Sequence, residues 1–149
     1  MIQLVFGQDD IVAGWVSKKI GALISPPFVA IGVTRDGTAL CGGTVFHHWN
    51  GHNLEITLAS DGAITRGTLR AIYHYMFEQV DAGRVTARTR RSNKTMRDML
   101  PRLGFQFEGV SRRYYGPNKA DDAFVFVLFP ENARKFLWNH HHFPQPQIR

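Results

Sequence analysis

The chain has 149 residues, 44% of them apolar, and a formal net charge of +6, which suits one ordinary globular domain able to bury its own core. No apolar run approaches the roughly 20 residues of a membrane span, the N-terminus MIQLVFGQDD has neither a basic n-region nor a cleavage site, and the single Cys41 excludes an intrachain disulfide or thiolate metal cluster. A soluble, cytoplasmic protein without membrane contact is expected.

Asp9 or Asp10 is placed to cap a first helix carrying Ile11, Val12, Trp15, Val16 and Ile20 and ending at Gly21. Residues 28–34 (FVAIGVT) read as a buried strand, Asp36-Gly37 as a tight hairpin, and residues 39–46 (ALCGGTVF) as the partner strand. Asn50-Gly51 signals a second hairpin into residues 53–59 (NLEITLA), where Leu54, Ile56 and Leu58 alternate with polar residues. Three strands thus form an antiparallel meander. The period then changes: Leu69, Ile72, Tyr73, Met76, Phe77 and Val80 fall at helical spacing, which predicts a helix over 69–80. Residues 84–89 return to strand. Residues 94–103 predict a short helix with Met96, Met99, Leu100 and Leu103 on one face, bent or shortened by Pro101. Residues 110–115 and 123–129 predict a closing strand pair, with Tyr114 and Tyr115 facing opposite ways. The sum is an α/β domain over residues 1–130 with a mixed, mostly antiparallel sheet and flanking helices. A tail over 131–149 packs on the domain or extends from it.

Charge is uneven: nine of the 18 Lys and Arg residues lie between Arg84 and Arg113, against Asp98 and Glu108 alone. Such a cluster attracts an anion, whether nucleic acid, an acidic protein face or a nucleotide cofactor. His47, His48 and His52 gather around the second hairpin, and His140, His141 and His142 near the end. Neighbouring residues of a regular strand face opposite ways, and no carboxylate stands at metal-site spacing, so no metal is expected. A histidine of the first cluster is instead a candidate amine base.

The stretch VTARTRRSNKTMRDMLPRLGFQFEG, residues 85–109, sets out a strand, a basic patch, Asn93, a short helix, Leu103-Gly104-Phe105 and then Glu108-Gly109. That order resembles the second half of the acetyl-coenzyme-A site in GNAT N-acetyltransferases, and the elements from Phe28 to Phe129 are similar to the whole core of that family. The phrases TRGTLRAIYHYMFEQ and RVTARTRRSNKTMRDMLPRLGFQFEGVSRR look most like the branch that modifies ribosomal-protein N-termini, and GNAT-like proteins of tailed phages. The resemblance implies a single-domain GNAT-like fold whose fourth and fifth strands, here 53–59 and 84–89, splay apart. It also implies acetyl-coenzyme A as acyl donor.

By the same resemblance, main-chain groups of Thr57, Leu58 and Ala59 would polarise the thioester. The loop 60–68, with Thr65, Arg66, Gly67 and Thr68, would hold pyrophosphate at a helix N-terminus. Asn93 would contact pantetheine, cap the following helix, or do both. Glu55 would take the amine's proton, or it is an exposed polar position on an alternating strand. The loop fits the family's Arg/Gln-x-x-Gly-x-Gly/Ala pattern in no register, and Asp61 would repel phosphate. Leu100 stands where many members place the Tyr that protonates the departing thiolate, and Met96 where the ribosomal branch has Ser. A leaving-group acid must then come from elsewhere, with Tyr114 as the candidate and Tyr73, Tyr115 or water as alternatives, or the protein no longer catalyses.

The expected activity is acetyl transfer to a primary amine by direct attack, the acceptor being a protein N-terminus, a lysine or a small amine. A second reading keeps the fold without catalysis, as a phage or prophage assembly factor using Phe136, Trp138 and Phe143 as a surface, with a homodimer or phage structural protein as partner. A third takes residues 88–94 as a nucleic-acid contact, and the lack of interleaved aromatics there disfavours it.

Overall fold

A computed structural model describes residues 1–62 and 64–137, with side chains to residue 133. The chain runs β1 (Gln3–Val5), α1 (Asp9–Ile20), β2 (Phe28–Thr34), β3 (Leu40–His47), β4 (Asn53–Ser60), α2 (Arg66–His74), β5 (Arg84–Arg90), α3 (Lys94–Arg102), β6 (Gln106–Ser111), β7 (Ala123–Leu128) and α4 (Pro130–Leu137). The strands form one seven-stranded sheet in the order β1-β2-β3-β4-β5-β7-β6. Its one parallel pair is β4–β5; the neighbours on either side are antiparallel.

The sheet faces are set by the alternation read from sequence. Leu54, Ile56, Val85, Ala87, Phe126 and Leu128 join Ile72, Tyr73, Met76 and Leu100 in the larger core, beneath α2, α3 and α4. The opposite face holds Ala30, Val45 and Ala59 against Val12, Ala13 and Val16 of α1. That helix can lie so close because Gly32 and Gly43 are register partners beneath it. A Cβ on Gly43 would sit 2.8 Å from Val12 and 2.9 Å from Val16.

Several expected boundaries shift for local reasons. Neither Asp9 nor Asp10 caps α1: both lie in its first turn, and Asp9 Oδ1 accepts a hydrogen bond from the Ala30 amide at 2.9 Å, tying α1 to β2. Gly21 ends α1 in the left-handed region at φ 69°. The predicted 69–80 helix begins earlier, at Arg66, and continues past His74 as a π-helical turn, Tyr75–Gln79. Pro101 stands one residue before the end of α3 and lacks the amide that would bond to the Arg97 carbonyl, and the helix ends one residue later at Arg102. The closing pair is β6 with β7, but β6 starts at Gln106 and ends at Ser111. Arg113 at φ 53° turns the chain, so Tyr114 and Tyr115 lie in a loop rather than on a strand. β1 carries no clear signal in the sequence: at three residues it is too short to display alternation. α4 opens at Pro130, and Ala133 within it is fully buried. Phe136 lies beyond the described side chains; Trp138, Phe143 and His140 to His142 lie outside the described residues altogether.

Candidate active site

β4 and β5 pair from Asn53/Arg84 through Ile56/Ala87, and there the pairing ends. β4 runs on to Ser60, held by β3 through Gly42, Gly43, Thr44 and Val45. β5 runs on to Arg90, held by β7 through Ala123, Phe124 and Val125. Each strand keeps its outer partner, so the two halves of the sheet diverge. In an antiparallel pair only every second residue bonds across the ladder, so along residues 57–60 the alternate N–H and C=O groups point away from β3 into the gap.

The gap is a cavity of about 440 Å³. Its walls are residues 56–60 and 87–90, its floor Asn93, Met96 and Leu100 of α3, and its rim Lys19, Ile20 and Tyr115. Polar ties frame it: Lys19 pairs with Asp61 at 2.7 Å, and Arg90 donates to the Ile20 carbonyl at 3.1 Å and to Asp121 at 3.2 Å.

Thr57, Leu58, Ala59 and Asn93 therefore line one cavity. Asn93 also caps α3, its Oδ1 accepting from the Met96 amide at 3.1 Å. Thr65, Arg66, Gly67 and Thr68 are absent from the lining. Thr65 caps α2 by accepting from the Thr68 amide at 3.1 Å, Arg66 is exposed, and Thr68 borders a separate small hollow with Ile64 and Ile72. Asp61, expected to repel phosphate, is paired with Lys19. Leu100 is fully buried and contributes only an apolar wall.

Glu55 is not an exposed strand position: the residue is only 8% exposed. Register places it opposite His47 on β3 and Thr86 on β5. Arg88 donates to its Oε1 at 2.5 Å, and it is through Arg88, which lines the cavity, that Glu55 reaches the gap. Burial pulls the Arg88 guanidinium down, and the hydrogen bond and charge of Glu55 outweigh this and hold it above its ordinary value. Tyr114 is half exposed and outside the lining, its ring 5.4 Å from the Arg88 guanidinium. Tyr115 lines the cavity with its ring 4.6 Å from Arg90. Burial, with Tyr114 and Glu55 adding to it, pushes the Tyr115 hydroxyl up to about 12. Sequence reading missed Arg88 and ranked Tyr114 above Tyr115. The available signal was the period-2 row Arg84, Thr86, Arg88, Arg90, which marks one polar face of a strand.

The two neighbouring histidines do meet. His47 ends β3, and His48 follows at φ 51°, off the strand, so their Nδ1 atoms lie 2.6 Å apart. His47 Nε2 lies 2.8 Å from Thr57 Oγ1. Burial drives His47 down to about 4; Glu55 acts in the opposite sense, while His48 and Arg88 lower it further. The folded value lies below the ordinary 6.5, so between those two pH values the unfolded chain binds the extra proton. This contribution to stability is whole above pH 6.5 and is lost as pH falls towards 4, about 3 kcal/mol in all. Urea unfolding of the wild type in buffer with a chelator should show that slope, and His47→Gln should flatten it. An equal slope in the variant would assign the loss to other groups.

No known protein-family profile matches the chain, and no curated protein matches it. Solved structures do. The spermidine/spermine N-acetyltransferase SpeG from Vibrio cholerae is 10% identical, covering 91% of this chain and 98% of that one, with a TM-score of 0.69. A GNAT-family acetyltransferase from Bacillus anthracis is 20% identical over 79% of this chain and 72% of its own, with a TM-score of 0.57. A protein described as a probable acetyltransferase is 24% identical with a TM-score of 0.60, and this chain spans less than two thirds of it, the match covering 70% of this chain and 62% of that protein's length. The fold is that of the GNAT acetyltransferases: a mixed sheet with one parallel β4–β5 pair and flanking helices.

Proposed function

We propose that the chain transfers an acetyl group from acetyl-coenzyme A to a primary amine by direct attack. The observation that carries this reading is the parting of β4 and β5 after Ile56/Ala87, which leaves main-chain donors of residues 57–60 along a cavity of about 440 Å³. A pantetheine arm laid in that gap completes the missing ladder hydrogen bonds. Its thioester carbonyl then meets donors fixed in place before charge develops on oxygen, an arrangement that contributes heavily in acyl transfer.

The amine nitrogen attacks the carbonyl carbon, the C–S bond breaks, and coenzyme A leaves as thiolate. Glu55, its carboxylate held by the cavity-lining Arg88, would accept the amine's proton through bridging water, with Arg88 positioning the carboxylate and taking no part in the relay. Tyr115 steadies the thiolate by hydrogen bonding from the cavity rim. With its hydroxyl pushed up to about 12, it is a weaker acid than an ordinary thiol at about 8.5, so the final proton comes from solvent. Tyr114, outside the lining, acts on this site only through its contact with Arg88. Asn93 would fix the pantetheine while capping α3. Thr65, Arg66, Gly67 and Thr68 remain the candidate pyrophosphate site, reached only by a ligand that extends past the cavity along the start of α2. The acceptor is a protein N-terminus, a lysine or a small amine, in the cytoplasm of the cell or of a phage host.

A second reading is favoured by the edge strand β6, where Phe107 is 56% and Val110 44% exposed. Apolar residues on an open edge suit a partner surface, so the fold could serve assembly of a phage structure without catalysis. Calorimetry of acetyl-coenzyme A with the full chain, followed by turnover with peptides and small amines, separates the two. Saturable binding and product thiol support transfer; no heat at millimolar cofactor sinks it.

A further inference from the structure

We propose that His47, His48 and Glu55 bind a single divalent cation of the zinc type. Among the described residues they alone form a group of at least three His, Cys, Asp or Glu side chains offering one ligand atom apiece within 4.8 Å of one another.

The fold builds this cluster. His47 and Glu55 are register partners on adjacent antiparallel strands, so their side chains share a face. His48 stands one residue past the strand end at φ 51°, backbone that a non-glycine residue adopts infrequently. That turn brings its ring back over the same face, 4.7 Å from the His47 ring centre. The His47 and His48 Nδ1 atoms are 2.6 Å apart, and His48 Nδ1 is 3.7 Å from Glu55 Oε1. In a tetrahedral zinc site, neighbouring ligand atoms stand about 3.3 Å apart. The two observed separations bracket that distance, so small side-chain rotations close the site.

The outer contacts also suit a metal. His47 Nε2 lies 2.8 Å from Thr57 Oγ1; with Nε2–H donating to that hydroxyl, Nδ1 turns its lone pair into the cluster, as outer partners do for metal-bound histidines. Arg88 donates to one lone pair of Glu55 Oε1; an ionised carboxylate keeps further lone pairs for a cation, while the guanidinium charge beside it moderates affinity. Two imidazoles and one carboxylate select Zn²⁺, Co²⁺ or Ni²⁺ over Mg²⁺ or Ca²⁺. Three protein ligands, one of them on exposed His48, leave a fourth position open to water. A cation here takes Glu55 out of proton transfer, and only that consequence rests on the acetyl-transfer reading.

The test titrates ZnCl₂ into the full chain carrying His140→Ala, His141→Ala and His142→Ala, which removes the other histidine cluster of the sequence. One zinc per chain should bind, and Mg²⁺ should give no heat. His48→Ala, at an exposed residue, should weaken zinc binding by about tenfold or more, whereas His52→Ala should leave it unchanged. Co²⁺ should show the visible absorption of a tetrahedral complex and lose it in His48→Ala. Absence of zinc heat, or a site indifferent to His48→Ala, overturns the proposal. Acetyl transfer is measured separately on chelator-treated protein, so its failure leaves the zinc result standing.

Discussion

Met96→Trp is expected to weaken coenzyme A binding by about 100-fold, roughly 2.7 kcal/mol, while leaving the fold in place. Met96 lies in the first turn of α3, half-buried, and its side chain forms part of the floor of the gap between β4 and β5. The Asn93 cap uses only the Met96 amide, so the substitution keeps the helix start intact. An indole there occupies space that the pantetheine arm would need, and methionine positions tolerate replacement well. Ser60→Trp, on the opposite wall and exposed, provides an independent block. Calorimetry with coenzyme A gives the affinity, and a urea midpoint near that of the wild type establishes that the fold survives. Wild-type affinity in both variants would place the cofactor somewhere other than this gap.

Most of the scaffold was legible because burial writes itself into alternation. Leu54, Ile56 and Leu58 mark the inner face of β4 as plainly as Leu69, Ile72, Tyr73 and Met76 mark that of α2 and the π-helical turn after it. Turn chemistry was less decisive. β6 was placed too late because Gly109 takes part in a register shift against β7, and a bulge breaks the period-2 pattern that sequence reading relies on. Tyr114 and Tyr115 looked like strand residues because nothing in the sequence announces the positive φ at Arg113. His48 was misread for the same reason: a non-glycine residue in the left-handed region carries no compositional signal, yet it brings two imidazoles together.

The gap itself is a tertiary property. Neither β4 nor β5 contains a residue that forbids pairing beyond Ile56 and Ala87; they part because β3 and β7 each carry one strand away. Only the resemblance to GNAT enzymes suggested it. The same limit applies to Thr65, Arg66, Gly67 and Thr68, which are adjacent in sequence to the end of β4 but lie beyond the cavity wall.

Arg88→Ala should be the most destabilising single change at the site, costing about 3 kcal/mol. Glu55 has a side chain only 10% exposed, and Arg88 is its closest charged partner at 2.5 Å. Removing the guanidinium leaves a carboxylate that water reaches poorly, and the lost pairing is compounded by uncompensated desolvation. The Arg88 side chain is itself 27% exposed, which is why the expected cost sits at the low end of the range for buried pairs. Glu55→Gln should cost less, since an amide oxygen still accepts from Arg88 and no buried anion remains. The double variant Arg88→Met with Glu55→Leu should recover most of the loss, because apolar replacement of both partners is often close to neutral. A double-mutant cycle in urea built from Arg88→Met, Glu55→Leu and the two together reads this directly: a coupling energy of about 1–3 kcal/mol is expected, and strict additivity would mean that the two charges stand side by side without depending on each other. Acetyl transfer should fall in all three variants even where stability is recovered, because Arg88 is both the wall of the gap and the link from Glu55 to it.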